Sequence, residues 1–427
     1  MTAPSYSIIA ATCHGNRGAQ AMLETVVGRL TREREDLHFH VFSYYPVADR
    51  ALVKDPRISV HSSTPLALVG WLLPWSLLFG LARLLFGKRV FRWAPASIRA
   101  LGQSAALVDL AGVSFIDGRE KFLPFNALTV VPAWLLGTPV SKMSQAMGPF
   151  DGGLNRLVSR LVLPMCAMLW ARGPRTLQHL QEAGFPGVRF VQADDIAFNH
   201  DSSYSLTDEG GELLATKIAS VERLRGDVRG IVGLCPSSVV AVKARKEGGG
   251  YEPAMVQLIE ALAQRGFAVV LFPNATRDAA GEAERNNDLP LMRRLSAAVT
   301  ASGKVPTPLM FDMDINASAI KRIIGMMDVV VVSRFHAMVG ALSLAVPPAV
   351  LGWSHKYAEV MARFGLEANV LDYKQLAGAD LAARTERLFE ERGLVAAQIR
   401  QHLPAVKESA DRPVISLLSP TRGADFA

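Results

Sequence analysis

An apolar run at the start of the chain, Tyr6–Thr12 (YSIIAAT), reads as a buried strand. It passes directly into Cys13-His14-Gly15-Asn16-Arg17-Gly18, and a helical pattern follows from Ala19 to about Arg32. Strand, glycine-bearing turn and helix, in that order, form the opening of a nucleotide-binding-like half. Further strands are expected at His38–Tyr45, Ala105–Ala111, Val140–Met147 and Val188–Ala193, alternating with helical patterns.

From Phe198 to about Arg229 the pattern weakens around the turn cluster Asn199-His200-Asp201-Ser202-Ser203. A second alternation begins at Gly230–Cys235. It predicts strands at Phe267–Phe272, near Leu309, at Val329–Val332 and near Ala349–Gly352. Helices are expected near Pro253–Arg265, Ala283–Thr300, Ala317–Gly325 and His336–Leu344, and from Lys356. Strands alternating with helices predict parallel sheets. The expectation is an α/β protein of two Rossmann-like domains facing a cleft, a glycosyltransferase-B-like architecture. Its parts are a first domain at 1–198, a linker at 199–229 and a second domain at 230–427.

One stretch departs from this rhythm. Leu66–Phe86 (LALVGWLLPWSLLFGLARLLF) carries a single charge, Arg83, and is long enough to cross a bilayer. A crossing would separate the first strand from the rest of its own sheet, and Pro74 suggests a broken helix or hairpin. Lys88, Arg89, Arg92 and Arg99 follow at once and suit an anionic interface. Peripheral membrane contact through an interfacial anchor is therefore expected, with a buried core or dimer pair and a true span as the alternatives.

Composition narrows the chemistry. The chain has 427 residues, half of them hydrophobic and a fifth charged, as a globular protein has. Its formal net charge is +7, with no long Lys/Arg run and no nucleic-acid motif, which favours acidic small molecules and membrane surface over nucleic acid. The three cysteines, Cys13, Cys166 and Cys235, are far apart, and no metal-ligand spacing occurs, so neither a disulfide framework nor a metal site is expected. The N-terminus has no basic segment leading into a long apolar run, so no signal peptide is expected and the reading is a cytoplasmic protein at the inner face of a membrane.

The sharpest chemical signal is Val329–Lys356 (VVVVSRFHAMVGALSLAVPPAVLGWSHK). A fully apolar strand ends and Ser333, Arg334 and His336 follow. Ser333 is expected as an N-cap with His336 in the first helical turn, where free N–H groups and the helix dipole favour an anion. Arg334 adds a permanent charge with a fork that matches carboxylate or phosphate, and His336 can exchange a proton near neutral pH. Asn16 and Arg17 at the first turn, and Asp109 and Asp117 after a buried strand, are candidate cleft or acceptor contacts. Asp195 is expected as a helix cap, and Lys243, Arg245 and Lys246 beside Gly248–Gly250 as a mobile basic loop.

These residues resemble the polysaccharide pyruvyl transferase family. Ser333-Arg334-Phe335-His336-Ala337, then Ala345-Val346-Pro347 and Lys356, is similar to the family's S-R-x-H-a, g-x-P step and following Lys, with Ala345 where Gly is usual. In the same order, Asn16–Ala21 is similar to its N-x-G-x-x-A turn and Gln145–Pro149 to its Q-x-x-G-P. Ala171-Arg172-Gly173 through Gly184, and Asp195-Ile196-Ala197-Phe198, resemble two further segments. Two places differ: the glycine-rich stretch retains only Gly112, and Gly173 and Thr176 stand beside Arg172 where Asp and Ser are usual.

The resemblance implies transfer of a pyruvyl group from phosphoenolpyruvate to two hydroxyls of one sugar, in a cell-surface polysaccharide or its lipid-linked precursor. The product is a pyruvate ketal. It implies no cofactor beyond phosphoenolpyruvate as co-substrate. His336 and Arg334 would be catalytic, and Ser333, Arg334, Lys356 and Arg172 would bind the donor. Two other readings fit the same architecture. One is a nucleotide-sugar-dependent glycosyltransferase, with the Glu359 region offering a carboxylate for a ribose. The other is a non-catalytic membrane-associated protein of glycan assembly.

Overall fold

The computed structural model describes residues 4–277, 286–374 and 377–418. The chain forms two compact units. The first takes in the chain up to Cys13, Met22–His200 and the chain from Lys407; the second takes in His14–Ala21 and Asp201–Val406.

The first unit is a seven-stranded parallel sheet. Its strands are β1 (Ser5–Ile9), β2 (His38–Ser43), β3 (Ile58–Ser62), β4 (Leu107–Asp109), β5 (Val140–Gln145), β6 (Met168–Arg172) and β7 (Phe190–Ala193), in the order β3-β2-β1-β4-β5-β6-β7. The second unit has six parallel strands: β8 (Gly230–Cys235), β9 (Phe267–Leu271), β10 (Leu309–Met310), β11 (Val329–Val332), β12 (Pro348–Gly352) and β13 (Val370–Asp372). Their order is β10-β9-β8-β11-β12-β13. In both sheets the order reverses beside the first strand, as in a Rossmann-like half, where ligands bind beyond the carboxyl ends of the central strands. β8 and β11 are central strands and are buried throughout. That is why they read as unbroken apolar runs rather than alternating ones.

β8, β11 and the helix Ala317–Gly325 lie where the sequence pattern put them. The helix expected from Ala283 begins at Leu289; residues 283–285 lie outside the described residues. Within the two parallel sheets, three of the described strands escaped the pattern. β3 and β13 are short and only partly buried, so their alternation is faint. β6 is preceded by the apolar stretch Leu161–Ala167, which hides where the strand begins.

The three-part division of the chain differs from the expected one. The region 199–229 is not a plain linker, because Gly211–Leu224 is a helix of the second unit with Leu214, Ile218 and Val221 buried. The segment 14–21, expected in the first domain, belongs to the second unit. Gly15–Asn16 pairs antiparallel with Ala275–Thr276. The chain from Lys407 returns to the first unit, where the long helix Arg392–Leu418 ends with the Leu417 carbonyl accepting from Tyr6 Oη at 2.9 Å.

The apolar segment is neither a hairpin nor a broken helix. Helical structure runs through the whole of it, from Pro65 to Phe86, where Gly87 (φ 66°, ψ −169°) ends the α-helix ahead of a 3₁₀ stretch that reaches Trp93. A π turn at Leu68–Leu72 precedes Pro74, and Leu73 N–H donates to the Leu68 carbonyl five residues back. The wider turn accommodates the proline without a kink into a second helix.

Candidate functional site

The second unit builds its polar cluster where β11 ends. Ser333 was expected as the N-cap, but the helix Phe335–Ser343 starts one residue later. Arg334 holds the cap position with extended backbone (φ −104°, ψ 130°). Ser333 is fully buried. Its hydroxyl lies 2.7 Å from Tyr251 Oη and its carbonyl accepts from Tyr357 Oη at 3.1 Å. Ser333 therefore locks the turn between two tyrosines instead of facing an anion. His336 sits in the first helical turn, as the spacing predicted.

Arg334 does not project freely. Its side chain is 13% exposed, and its partner Asp288 is fully buried. Nε donates to both Asp288 oxygens at 3.1 and 3.0 Å, and Nη2 donates to Asp288 Oδ1 and, at 3.0 Å, to Ser238 Oγ. Among the described residues Nη1 has no hydrogen-bond partner. Burial works against the charge of Arg334, but the Asp288 carboxylate outweighs it and holds the guanidinium pKa above its ordinary value. The cation is thus permanent and pre-aimed, with one corner of its fork unspent.

Asp288 was not singled out by the sequence reading, although Asn287-Asp288-Leu289-Pro290 carries a helix-start signature. Its carboxylate also accepts from Ser238 N–H (3.0 Å), Asn274 N–H (3.2 Å) and Ala275 N–H (2.9 Å). One carboxylate therefore ties together Arg334, the start of the helix Ser238–Lys246 and the ribbon that pairs with Gly15–Asn16.

His336 is fixed from below by that same N-terminal segment. A Cβ on Gly18 would lie 1.9 Å from His336 Nδ1 and 2.3 Å from Cγ. The imidazole occupies the space a side chain at position 18 would need. Asn16, exposed, caps the helix Arg17–Glu33 by accepting from Gly18 N–H (3.2 Å) and Ala19 N–H (3.3 Å). Arg17 is 4% exposed and spends its guanidinium on Thr276, Gln20 and Asp314. The two residues expected to touch substrate thus fasten the segment that carries Gly18.

Lys356 lies in the helix His355–Ala362, with Nζ 4.8 Å from the Phe335 ring centroid and 5.2 Å from that of Trp353. Lys243 Nζ lies 5.6 Å from the Trp353 ring and 5.3 Å from Tyr373. Two ammonium groups therefore flank one indole. Lys243, Arg245 and Lys246 were expected in a mobile loop; they form the last turn of the Ser238–Lys246 helix, capped at its start by Ser237 Oγ. Cations at a helix C-terminus are favoured by the dipole, and Arg245 also pairs with Glu252 at 2.7 Å.

The remaining candidates belong to the first unit. Arg172, at the end of β6, is 5% exposed and pairs with Asp195 at 2.9 Å. Asp195 also caps the short helix Ile196–Asn199 through Ala197 N–H, as expected. Asp109 is no acceptor contact. It is fully buried and bonded to Lys142, Thr129 Oγ1 (3.1 Å), Gln145 Nε2 (2.9 Å) and Ala111 N–H (2.9 Å), which leaves neither oxygen open. Asp117 likewise spends Oδ2 on the N–H groups of Asp151 and Gly152 and Oδ1 on Asn155 Nδ2, fastening the start of the helix Gly153–Val162.

The amylovoran biosynthesis protein AmsJ of Erwinia amylovora is 21% identical over 391 residues, which is 89% of this chain and 90% of that protein. The fold is similar to a putative UDP-N-acetylglucosamine 2-epimerase from Listeria monocytogenes, at a TM-score of 0.58 and 12% identity over 100% of this chain and 99% of that one. It is also similar to the UDP-GlcNAc 2-epimerase from Neisseria meningitidis, at a TM-score of 0.57 and 10% identity over 98% and 100%. These likenesses assign the glycosyltransferase-B-like fold class. The family model for polysaccharide pyruvyl transferase matches residues 16–355, from Asn16 in the turn that carries Gly18 to His355 beside Lys356. The chain belongs to the polysaccharide pyruvyl transferase family.

Proposed function

We propose that this protein transfers the three-carbon unit of phosphoenolpyruvate to two hydroxyls of one sugar, in a polysaccharide or its lipid-linked precursor. One hydroxyl oxygen bonds to C2 of the donor while a proton is delivered to its methylene carbon, which becomes a methyl group. The second hydroxyl then displaces phosphate from the same carbon, closing the ketal. The reaction needs fixed positive charge for a carboxylate and a phosphate, and a group that moves protons. Arg334 supplies the charge through Nη1, His336 the proton transfer, and Lys356 neutralises the departing phosphate.

The observation that carries this reading is the Asp288–Arg334 pair beside His336. A buried guanidinium clamped on one side and unspent at Nη1 is a preorganised hydrogen-bond donor for an anion, two residues before the His336 imidazole in the first helical turn. Family membership supports the donor, and the relative named for amylovoran biosynthesis supports a glycan acceptor. Thermal unfolding with and without ligand is the test. Phosphoenolpyruvate should raise Tm in proportion to the logarithm of its concentration, and UDP-sugars should leave Tm unchanged. Stabilisation by a UDP-sugar alone would move the assignment to a glycosyltransferase.

A further inference from the structure

The helical run Pro65–Trp93 has a mean hydropathy of 1.7 over its most apolar stretch, only 28% of which is buried. One face belongs to the core of the first unit. Leu68, Leu72 and Phe79 are at most 8% exposed. At Gly80 the helix lies flush against the Val131–Leu136 helix, because a Cβ there would meet the Leu135 carbonyl at 2.6 Å. The opposite face is as apolar as the first but bare. Leu66 is 86% exposed, Leu77 51%, Leu81 57%, Leu84 73%, Leu85 79% and Phe86 66%. Contiguous apolar surface of this kind marks an interaction site.

Charge selects the occupant. No Asp or Glu occurs between Asp55 and Asp109, whereas Arg83, Lys88, Arg89, Arg92 and Arg99 do. Lys88, Arg89 and Arg92 are exposed at the end of the bare face, and the Arg92 guanidinium lies 3.8 Å from the exposed Trp93 ring. An apolar face bordered by cations and an indole matches the acyl boundary and anionic headgroups of a leaflet. Crossing the bilayer would require pulling Leu68, Leu72 and Phe79 out of the core, so the helix lies in the plane of the membrane.

We propose that the outer face of Pro65–Trp93 binds the surface of a bilayer containing anionic phospholipid, inserting Leu81, Leu84 and Leu85 among the acyl chains. The test is vesicle co-sedimentation of the full chain, with phosphatidylcholine alone and with phosphatidylcholine containing phosphatidylglycerol. Binding is expected to the anionic vesicles and to weaken with salt. Leu84→Glu with Leu85→Glu should abolish it. Lys88→Glu with Arg89→Glu and Arg92→Glu should lower vesicle affinity by at least about tenfold. Both variants should keep the wild-type Tm, and turnover on a soluble acceptor should be unchanged, which separates this proposal from the catalytic one. Wild-type binding by both variants would overturn it. So would a concentration-dependent dimer dissolved by the Leu84/Leu85 change, which would assign the face to a second copy. Labelling of cysteines engineered at positions 55 and 88 from opposite sides of the membrane would overturn it too, by showing a span.

Discussion

Gly18 and His336, 318 positions apart in sequence, share one volume: the imidazole fills the space where any side chain at position 18 would begin. The contact joins the two ends of the matched family segment. It gives the N-terminal turn a structural part in the chemical motif. Arg17, Asn16 and the Gly15–Asn16 ribbon hold the turn, the turn presents Gly18, and Gly18 sets the height of His336.

Gly18→Ala follows directly. The added methyl must displace the ring, and an ångström of misplacement in a reacting group costs about 10²-fold in rate. Turnover should fall by about that factor, with phosphoenolpyruvate affinity nearly unchanged. Adding Gly18→Ala to His336→Gln should cost little more, because the displaced group is already gone. Steady-state kinetics and calorimetry on the three variants check both statements; a full additive loss would separate Gly18 from His336.

Asp288→Asn removes the carboxylate from a buried pair and leaves Arg334 without its counter-charge. Breaking such a pair costs about 3 kcal/mol or more. Denaturant unfolding should show that loss together with weaker phosphoenolpyruvate binding, since the guanidinium is no longer aimed. A variant of unchanged stability would mean that the pair contributes nothing to holding the turn.

Ala345 stands where the family usually has glycine, and its φ is +56°. It closes the Phe335–Ser343 helix. Val346 N–H bonds the Ala341 carbonyl at 2.9 Å and Ala345 N–H bonds the Leu342 carbonyl at 3.1 Å, a cap that favours glycine at this position, with Pro347 following. Ala345→Gly should therefore stabilise the chain by roughly 0.5–1 kcal/mol, relief of the left-handed strain outweighing the entropy of a freer unfolded chain. Thermal unfolding reads it; a lower Tm would contradict it.

A histidine cluster sets the acid limit. His40, beside His38 and His61, has its pKa pushed down to about 4, mainly by burial and then by the charges of His61 and His38. Burial also lowers His61. The unfolded chain binds these protons near pH 6.5 and the folded chain does not. Stability is complete above pH 6.5 and falls as the pH drops toward 4, by on the order of 2 kcal/mol for His40. His40→Phe should flatten the decline of Tm across that window; an unchanged slope would assign the acid sensitivity elsewhere.

The sequence made the two-sheet plan and the Ser333–His336 turn legible, because central parallel strands are unbroken apolar runs and Arg and His at the end of one stand out. It could not show how that turn is held. Asp288 reaches Arg334 across 46 positions and Tyr251 reaches Ser333 across 82, and neither spacing leaves a local pattern. Asp109 was misread, and the anchoring role of Asp117 missed, for the complementary reason. A carboxylate after a buried strand looks the same whether it faces ligand or, as here, closes on Lys142 or on the backbone N–H groups that open the Gly153–Val162 helix.

The central claim, that His336 moves protons beside an anion held by Arg334, rests on separating turnover from binding in one variant. His336→Gln should release phosphate from phosphoenolpyruvate in the presence of a glycan acceptor about 10²–10⁴-fold more slowly than the wild type, the scale of a general acid–base group. Its phosphoenolpyruvate affinity and Tm should stay close to wild type. A folded His336→Gln protein that releases phosphate at near the wild-type rate would contradict the account and leave the turn as an anion clamp alone.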